Sequence, residues 1–161
     1  MDRMKPMFRT ALLAAALCSG AAPALTQAQA VKIPPATGAA HPKTPDLENA
    51  GKLAAHAWLA LLDRRDWGTA WDTSSQVFRQ NVPLSKWMDA VPKVRETFGP
   101  FVEREALEAI YKTTLPGRPD GQYVSVLFAS KFATQAVREV VTTMREPDGR
   151  FRVIGYNPGL R

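Results

Sequence analysis

From Phe101 onward the spacing of apolar residues drops from three or four to two. That switch divides the folded part of the chain into a helical half and a sheet half. Ahead of it, Leu47, Ala50, Ala54, Ala57, Trp58 and Leu61 recur at helical steps behind Thr44-Pro45-Asp46, a hydroxyl cap followed by proline and an acid. The spacing predicts a helix over 46–63 with one buried stripe. Asp66 can cap a second helix with Trp67, Ala70 and Trp71 on one side and Phe78 further on. Ser85 can cap a third, with Trp87, Val91, Val94 and Phe98 inward, and Pro92 is expected to kink or split it. Phe98-Gly99-Pro100 is a stop signal.

Beyond the switch, Val102 to Thr114 forms a first strand, and Pro116 to Gly121 is a turn. Tyr123 to Phe132 is the second strand, with Val124, Val126, Phe128 and Phe132 on its apolar face. Val137 to Arg145 is the third. Asp148-Gly149 suits a two-residue type I′ hairpin loop. In the last strand Phe151, Val153 and Gly155 alternate with Arg152, Ile154 and Tyr156, and Gly155 suits a bend or a close helix approach. Helices followed by meandering strands give an α+β fold, with N-terminal helices packed on a four-stranded antiparallel curved sheet. Such a sheet wrapped over helices forms a cone open at one end.

Residues 1–30 read as a secretory signal peptide. Arg3, Lys5 and Arg9 precede the short apolar run from Ala11 to Cys18, and Ala28-Gln29-Ala30 is a small-x-small cleavage site. Leu17 stands where a lipid-modified Cys18 would need a small residue, so no stable membrane anchor is expected after cleavage. Cys18 is the single cysteine, so the processed chain holds none. Residues 31–45, rich in Pro and Ala, read as a flexible tether, and residues 46–161 as a single domain. The expected location is periplasmic or secreted. Of 21 Lys+Arg and 15 Asp+Glu, the leader holds three basic residues and Asp2, which leaves 18 against 14. That balance, without a dense Lys/Arg run, argues against nucleic acid as a partner.

His41 lies in the tether, and His56 falls opposite the buried stripe of its helix. With no paired histidines and no cysteine, metal sites lack their usual ligands. No phosphate-cradling glycine motif occurs, so no cofactor is implied. Carboxylates, arginines and aromatics remain. Glu139 shares a strand face with Val137 and Val141. It is either a free acid in apolar company or an ion-pair partner of Arg104, Arg152 or Lys131. Arg95 either aims at the sheet or makes a rim salt bridge. The four tryptophans are read as core, with Trp71 carried as a pocket-lining candidate, and Tyr156 can place its hydroxyl at a cavity mouth. Glu139, Arg95, Tyr156 and Trp71 are therefore the candidate ligand-binding residues.

The tail from Asp148 to Tyr156 (DGRFRVIGY), Leu115-Pro116-Gly117 with Pro119-Asp120-Gly121 and Tyr123, and the set Trp58, Leu62-Asp63, Trp67, Trp71, Phe78, Trp87, Arg95, Gly99 and Arg104 together resemble the family called domain of unknown function 4019, found in exported bacterial proteins. The resemblance covers about residues 50–157. It departs at Phe151, where the family usually carries tryptophan. It implies a small α+β domain of the nuclear-transport-factor-like cone kind and brings no activity or catalytic residues. The expected function is an exported, non-catalytic accessory domain binding a small ligand or an envelope protein. Two alternatives stand beside it: a cofactor-free lyase or isomerase using a buried carboxylate, and a purely structural protein–protein module. An unpaired acid in a closed recess would mark the enzyme.

Overall fold

The structure, a computed structural model, describes residues 43–160. The expected leader, the tether before Lys43, and with them Cys18 and His41 lie outside the described residues. The helices are α1 (Thr44–Asp63), α2 (Trp67–Asp72), α3 (Gln76–Asn81) and α4 (Leu84–Glu96). The strands are β1 (Phe101–Lys112), β2 (Tyr123–Phe132), β3 (Ala136–Arg145) and β4 (Phe151–Leu160). They form one antiparallel sheet in the order β1-β2-β3-β4. Helix α1 lies across all four strands, α2 packs on α1 and α4, and α3 packs on β4. The α+β layout expected from the sequence is thus the observed one.

The helical half departs from expectation in its details. Lys43, not Thr44, precedes α1, and its backbone N–H donates to Asp46 Oδ2 at 3.3 Å. The buried stripe is Leu47, Gly51, Ala55, Trp58, Leu59 and Leu62, while Ala50 and Ala57 face solvent. Gly51 sets that phase. A Cβ there would lie 2.4 Å from Val124 Cβ, so the helix meets the sheet closest where it has no side chain. Ser75, not Ser85, is a helix cap; its Oγ accepts from Phe78 N at 3.0 Å and opens α3. Val82 ends α3 in extended backbone, as a residue ahead of proline prefers. Helix α4 then starts at Leu84 and runs through Pro92 unsplit. The missing N–H of Pro92 falls one turn after Met88, whose side chain is exposed.

In the sheet half β2 has the expected bounds, and its inner residues Val124, Val126 and Phe128 are fully buried. They join Trp58, Leu59, Phe78, Trp87, Val141 and Val153 in the main core. Between β3 and β4 the turn proper, closed by Glu146 and Arg150, has three residues, Pro147 to Gly149, not two. Glu146 N donates to Arg150 O at 2.9 Å, and Gly149 alone has positive φ (82°), so the loop is a tight turn closed by a left-handed glycine instead of type I′. Strand β4 carries a bulge: Thr142 pairs with Gly155 and Thr143 with Val153, which leaves Ile154 without a partner. A Cβ on Gly155 would meet Thr142 Cβ at an ordinary 3.8 Å, so the expected bend lies at Ile154. Past it, Tyr156 pairs with Val141 and joins Val153 on the inner face, against the simple alternation. Strand β1 has register shifts after Phe101 and Ala106.

Candidate functional site

Helix α4 places a guanidinium where a core residue was expected. Its buried positions are Trp87, Val91 and Arg95, Phe98 is buried just past its end, and Val94 turns outward. Arg95 follows Val91 by four residues and therefore continues the same stripe toward the sheet. Its guanidinium carbon sits 5.0 Å from the Phe132 ring centroid. It is no rim residue, being 6% exposed.

Opposite it stands Glu139, fully buried between Val137 and Val141 on β3. Arg95 Nη1 donates to Glu139 Oε1 at 2.5 Å, and the Tyr156 hydroxyl donates to the same oxygen at 2.6 Å. Glu139 Oε2 accepts from Arg104 Nη2 at 2.9 Å, from Arg104 Nε at 3.2 Å and from the Ser130 hydroxyl. Arg104 reaches inward because the shift after Phe101 sets it opposite Ser130 of β2. It also grips Asp63, at the end of α1, through Nη1 at 2.7 Å and Nη2 at 3.0 Å. Arg95 Nη2 donates to Asp63 Oδ1, which closes the ring. Tyr156 is aimed by the Ile154 bulge, and Arg95 Nη1 donates to its oxygen at 2.9 Å.

Two arginines thus meet two carboxylates, and among the described residues no buried side-chain polar atom lacks a partner. Burial opposes the Arg104 charge. The hydrogen bond Arg104 donates to Asp63 and the charges of Glu139 and Asp63 outweigh it and hold the guanidinium above its ordinary range. Burial, followed by the neighbouring Glu139 charge, pushes the Tyr156 phenol far above its ordinary value. A general base needs a carboxylate with a lone pair to spare and a path to substrate. Both Glu139 oxygens are already saturated by two cations and two hydroxyls. The arrangement ties the end of α1 and the last turn of α4 to all four strands. Of the three expected partners of Glu139, Arg104 is the one observed. Arg152 binds Glu146 and Asp148 instead, and Lys131 pairs with Glu103.

The structure therefore brings together three of the four candidate residues: Arg95, Glu139 and Tyr156. Trp71 stands apart. Its Nε1 donates to Val82 O at 2.7 Å, and Arg79 lies 5.8 Å from its ring centroid. Asp63 and Ser130 belong to the cluster but are not among the candidate site residues read from the sequence, where Asp63 enters only through the family resemblance. Ser130 left a signal, a hydroxyl in the apolar row Val126, Phe128, Phe132. Asp63 left a weaker one, an acid one turn beyond buried Leu59. His56 is exposed, as expected, with its ring 6.3 Å from that of Phe128.

Recesses flank this cluster. A cleft of about 210 Å³ touches Asp63 and Arg95 beside Trp67 and Phe101. An apolar one of about 220 Å³ reaches Arg95 and Tyr156 from the Phe78 and Trp87 side. A larger groove, of about 860 Å³, lies away from the cluster. Its apolar lining includes Ala57, Leu61 and Phe151. Arg64, Arg79, Arg150 and Arg152 line it from the end of α1, from α3, from the β3–β4 loop and from β4. Arg152 is held by Glu146 and Asp148, whose carboxyl falls to about 2 through the Arg152 hydrogen bond first and the Arg150 N–H second. Among the described residues no three His, Cys, Asp or Glu side chains stand together as metal ligands would, and no helix is long and apolar enough to cross a membrane.

The chain belongs to the family described as protein of unknown function (DUF4019), whose model matches residues 54–156. The match runs from the middle of α1 to Tyr156 and takes in every member of the buried cluster. No curated protein and no solved structure matches the chain.

Proposed function

We propose that this member of the DUF4019 family is an exported, non-catalytic binding domain that holds a small ligand in the groove between α1, α2, α3 and β4. One observation carries the reading. The groove of about 860 Å³ has the size of a small-molecule site and combines an apolar lining with polar side chains from several elements. The buried carboxylate that an enzyme of this composition would use is instead locked between Arg95 and Arg104. Export is supported by the basic start, the short apolar run and Ala28-Gln29-Ala30.

Native mass spectrometry of the protein isolated from its own cells tests this reading. The expected species begins at Val31 and carries a small-molecule adduct that leaves on activation. A species with the leader intact would remove the export half. A bare protein at every activation energy, with turnover of a substrate by the same preparation, would remove the binding half.

A further inference from the structure

We propose that the ligand of the 860 Å³ groove is a small amphipathic anion: an oxyanion head, carboxylate or phosphate, on a short aliphatic body. This inference rests on the groove being the binding site. Four guanidinium groups line it against two carboxylates, Asp72 and Glu146; Arg152 is already taken by Glu146 at 2.5 Å and by Asp148, outside the lining, at 2.7 Å, and Asp148 also feels the Arg150 charge. Arg64 and Arg150 make no ion pair among the described residues. They stand on different elements, the end of α1 and the loop before β4, and converge on one recess. Like charges brought together from separate elements repel unless an anion joins them. Guanidinium favours planar oxyanions because its N–H fork matches two oxygens at once.

Ala57, Leu61 and Phe151 present apolar surface under these heads, and Thr69 and Thr73 add hydroxyls. An inorganic anion alone would leave that surface wet, and a neutral lipid would leave the guanidinium groups without a partner. An amphipathic anion satisfies both.

Titration calorimetry on the protein isolated from its own cells, with octanoate, octyl phosphate, 1-octanol and inorganic phosphate as probes, tests the proposal. Octanoate and octyl phosphate should bind about tenfold more tightly than 1-octanol or phosphate, the effect of two solvent-exposed charge contacts added to one apolar contact. The comparison of the two octyl anions tells which head is preferred. Arg64→Gln with Arg150→Gln should erase the preference over 1-octanol and leave the melting temperature unchanged. Independently of any variant, the preference should fade as salt rises. If 1-octanol binds as tightly as octanoate and Ala57→Trp blocks both, the ligand class is wrong and the groove stands. If inorganic phosphate matches octyl phosphate, the amphipathic body is wrong. Binding that ignores Ala57→Trp, or no binding of any probe, would sink the groove and the ligand class together.

Discussion

Replacing Glu139 by glutamine keeps its shape and removes its charge, and the buried cluster gives the size of the effect. The carboxylate accepts five hydrogen bonds, two on Oε1 and three on Oε2. Glutamine offers one oxygen. Its amide must then face either the Arg95 guanidinium and Tyr156, or the donors of Arg104 and Ser130. Two arginines remain against the single carboxylate of Asp63, one of them 1% exposed. Breaking a buried pair from one side costs about 3–5 kcal/mol, because it strands a charge. For a folded unit of this size that lowers the melting temperature by roughly 10–20 °C. Circular dichroism and tryptophan emission during thermal and urea unfolding measure it. Replacing the set together, Arg95→Met, Glu139→Leu and Tyr156→Phe, leaves Asp63 and Arg104 neutral as a pair. That variant should be more stable than Glu139→Gln alone, despite its additional changes. A Glu139→Gln protein that melts at or above the parent temperature would refute the argument.

Three further outcomes follow from the geometry. Gly51→Ala puts a Cβ 2.4 Å from Val124 Cβ, and the displaced helix should lose about 1–3 kcal/mol in urea unfolding. The Tyr156 phenol is held protonated by burial and by Glu139, so its contribution to stability is intact below its ordinary value of 10.0 and is lost as pH rises above it. Phenolate absorbance of Tyr156 should therefore emerge only with alkaline unfolding, and Tyr156→Phe should leave the titration of the folded protein unchanged. Asp148, lowered from 3.8 to about 2 by Arg152 and the Arg150 N–H, contributes stability above 3.8 that is lost as pH falls through about 2. Asp148→Asn should flatten the melting temperature across that interval.

Much of this fold was legible in the sequence because its signals are local. The change of period at Phe101, the glycine stop at Gly99 and the alternating run from Tyr123 to Phe132 each act through neighbouring residues. So does the position of Glu139 between Val137 and Val141. The misses have physical causes that a period cannot express. Val94 is the apolar residue and Arg95 the buried one, because two carboxylates from distant elements compensate the guanidinium. Tyr156 changes face because one unpaired residue precedes it, and nothing in the string Val153-Ile154-Gly155-Tyr156 marks which residue is extra. The phase of α1 depends on Gly51, whose importance is an absence of atoms opposite Val124. The cluster was therefore half visible, as a carboxylate with candidate partners. Its closure needed the third dimension.

The bulge at Ile154 also bears on how the length of this chain can change. Two residues stand between Val153 and Tyr156, an even number where a plain strand needs an odd one to keep both side chains on the same face. A chain without Ile154 would run from Val153 through Gly155 to Tyr156 as an ordinary alternating strand, with the same phenol delivered to the same carboxylate. One residue can therefore be lost at this point of β4 for the packing of one buried isoleucine, with the wiring of the cluster preserved. A deletion three residues later, at Asn157, would be taken up at a second bulge, because Glu139 pairs with Pro158 and Arg138 with Leu160, which leaves Gly159 without a partner. Gly159 would then stand opposite Glu139 in place of Pro158, and Leu160 would keep its partner Arg138. In this chain a deletion at Ile154 is accordingly expected to be silent for the buried cluster, and one at Asn157 to change which residue stands opposite Glu139.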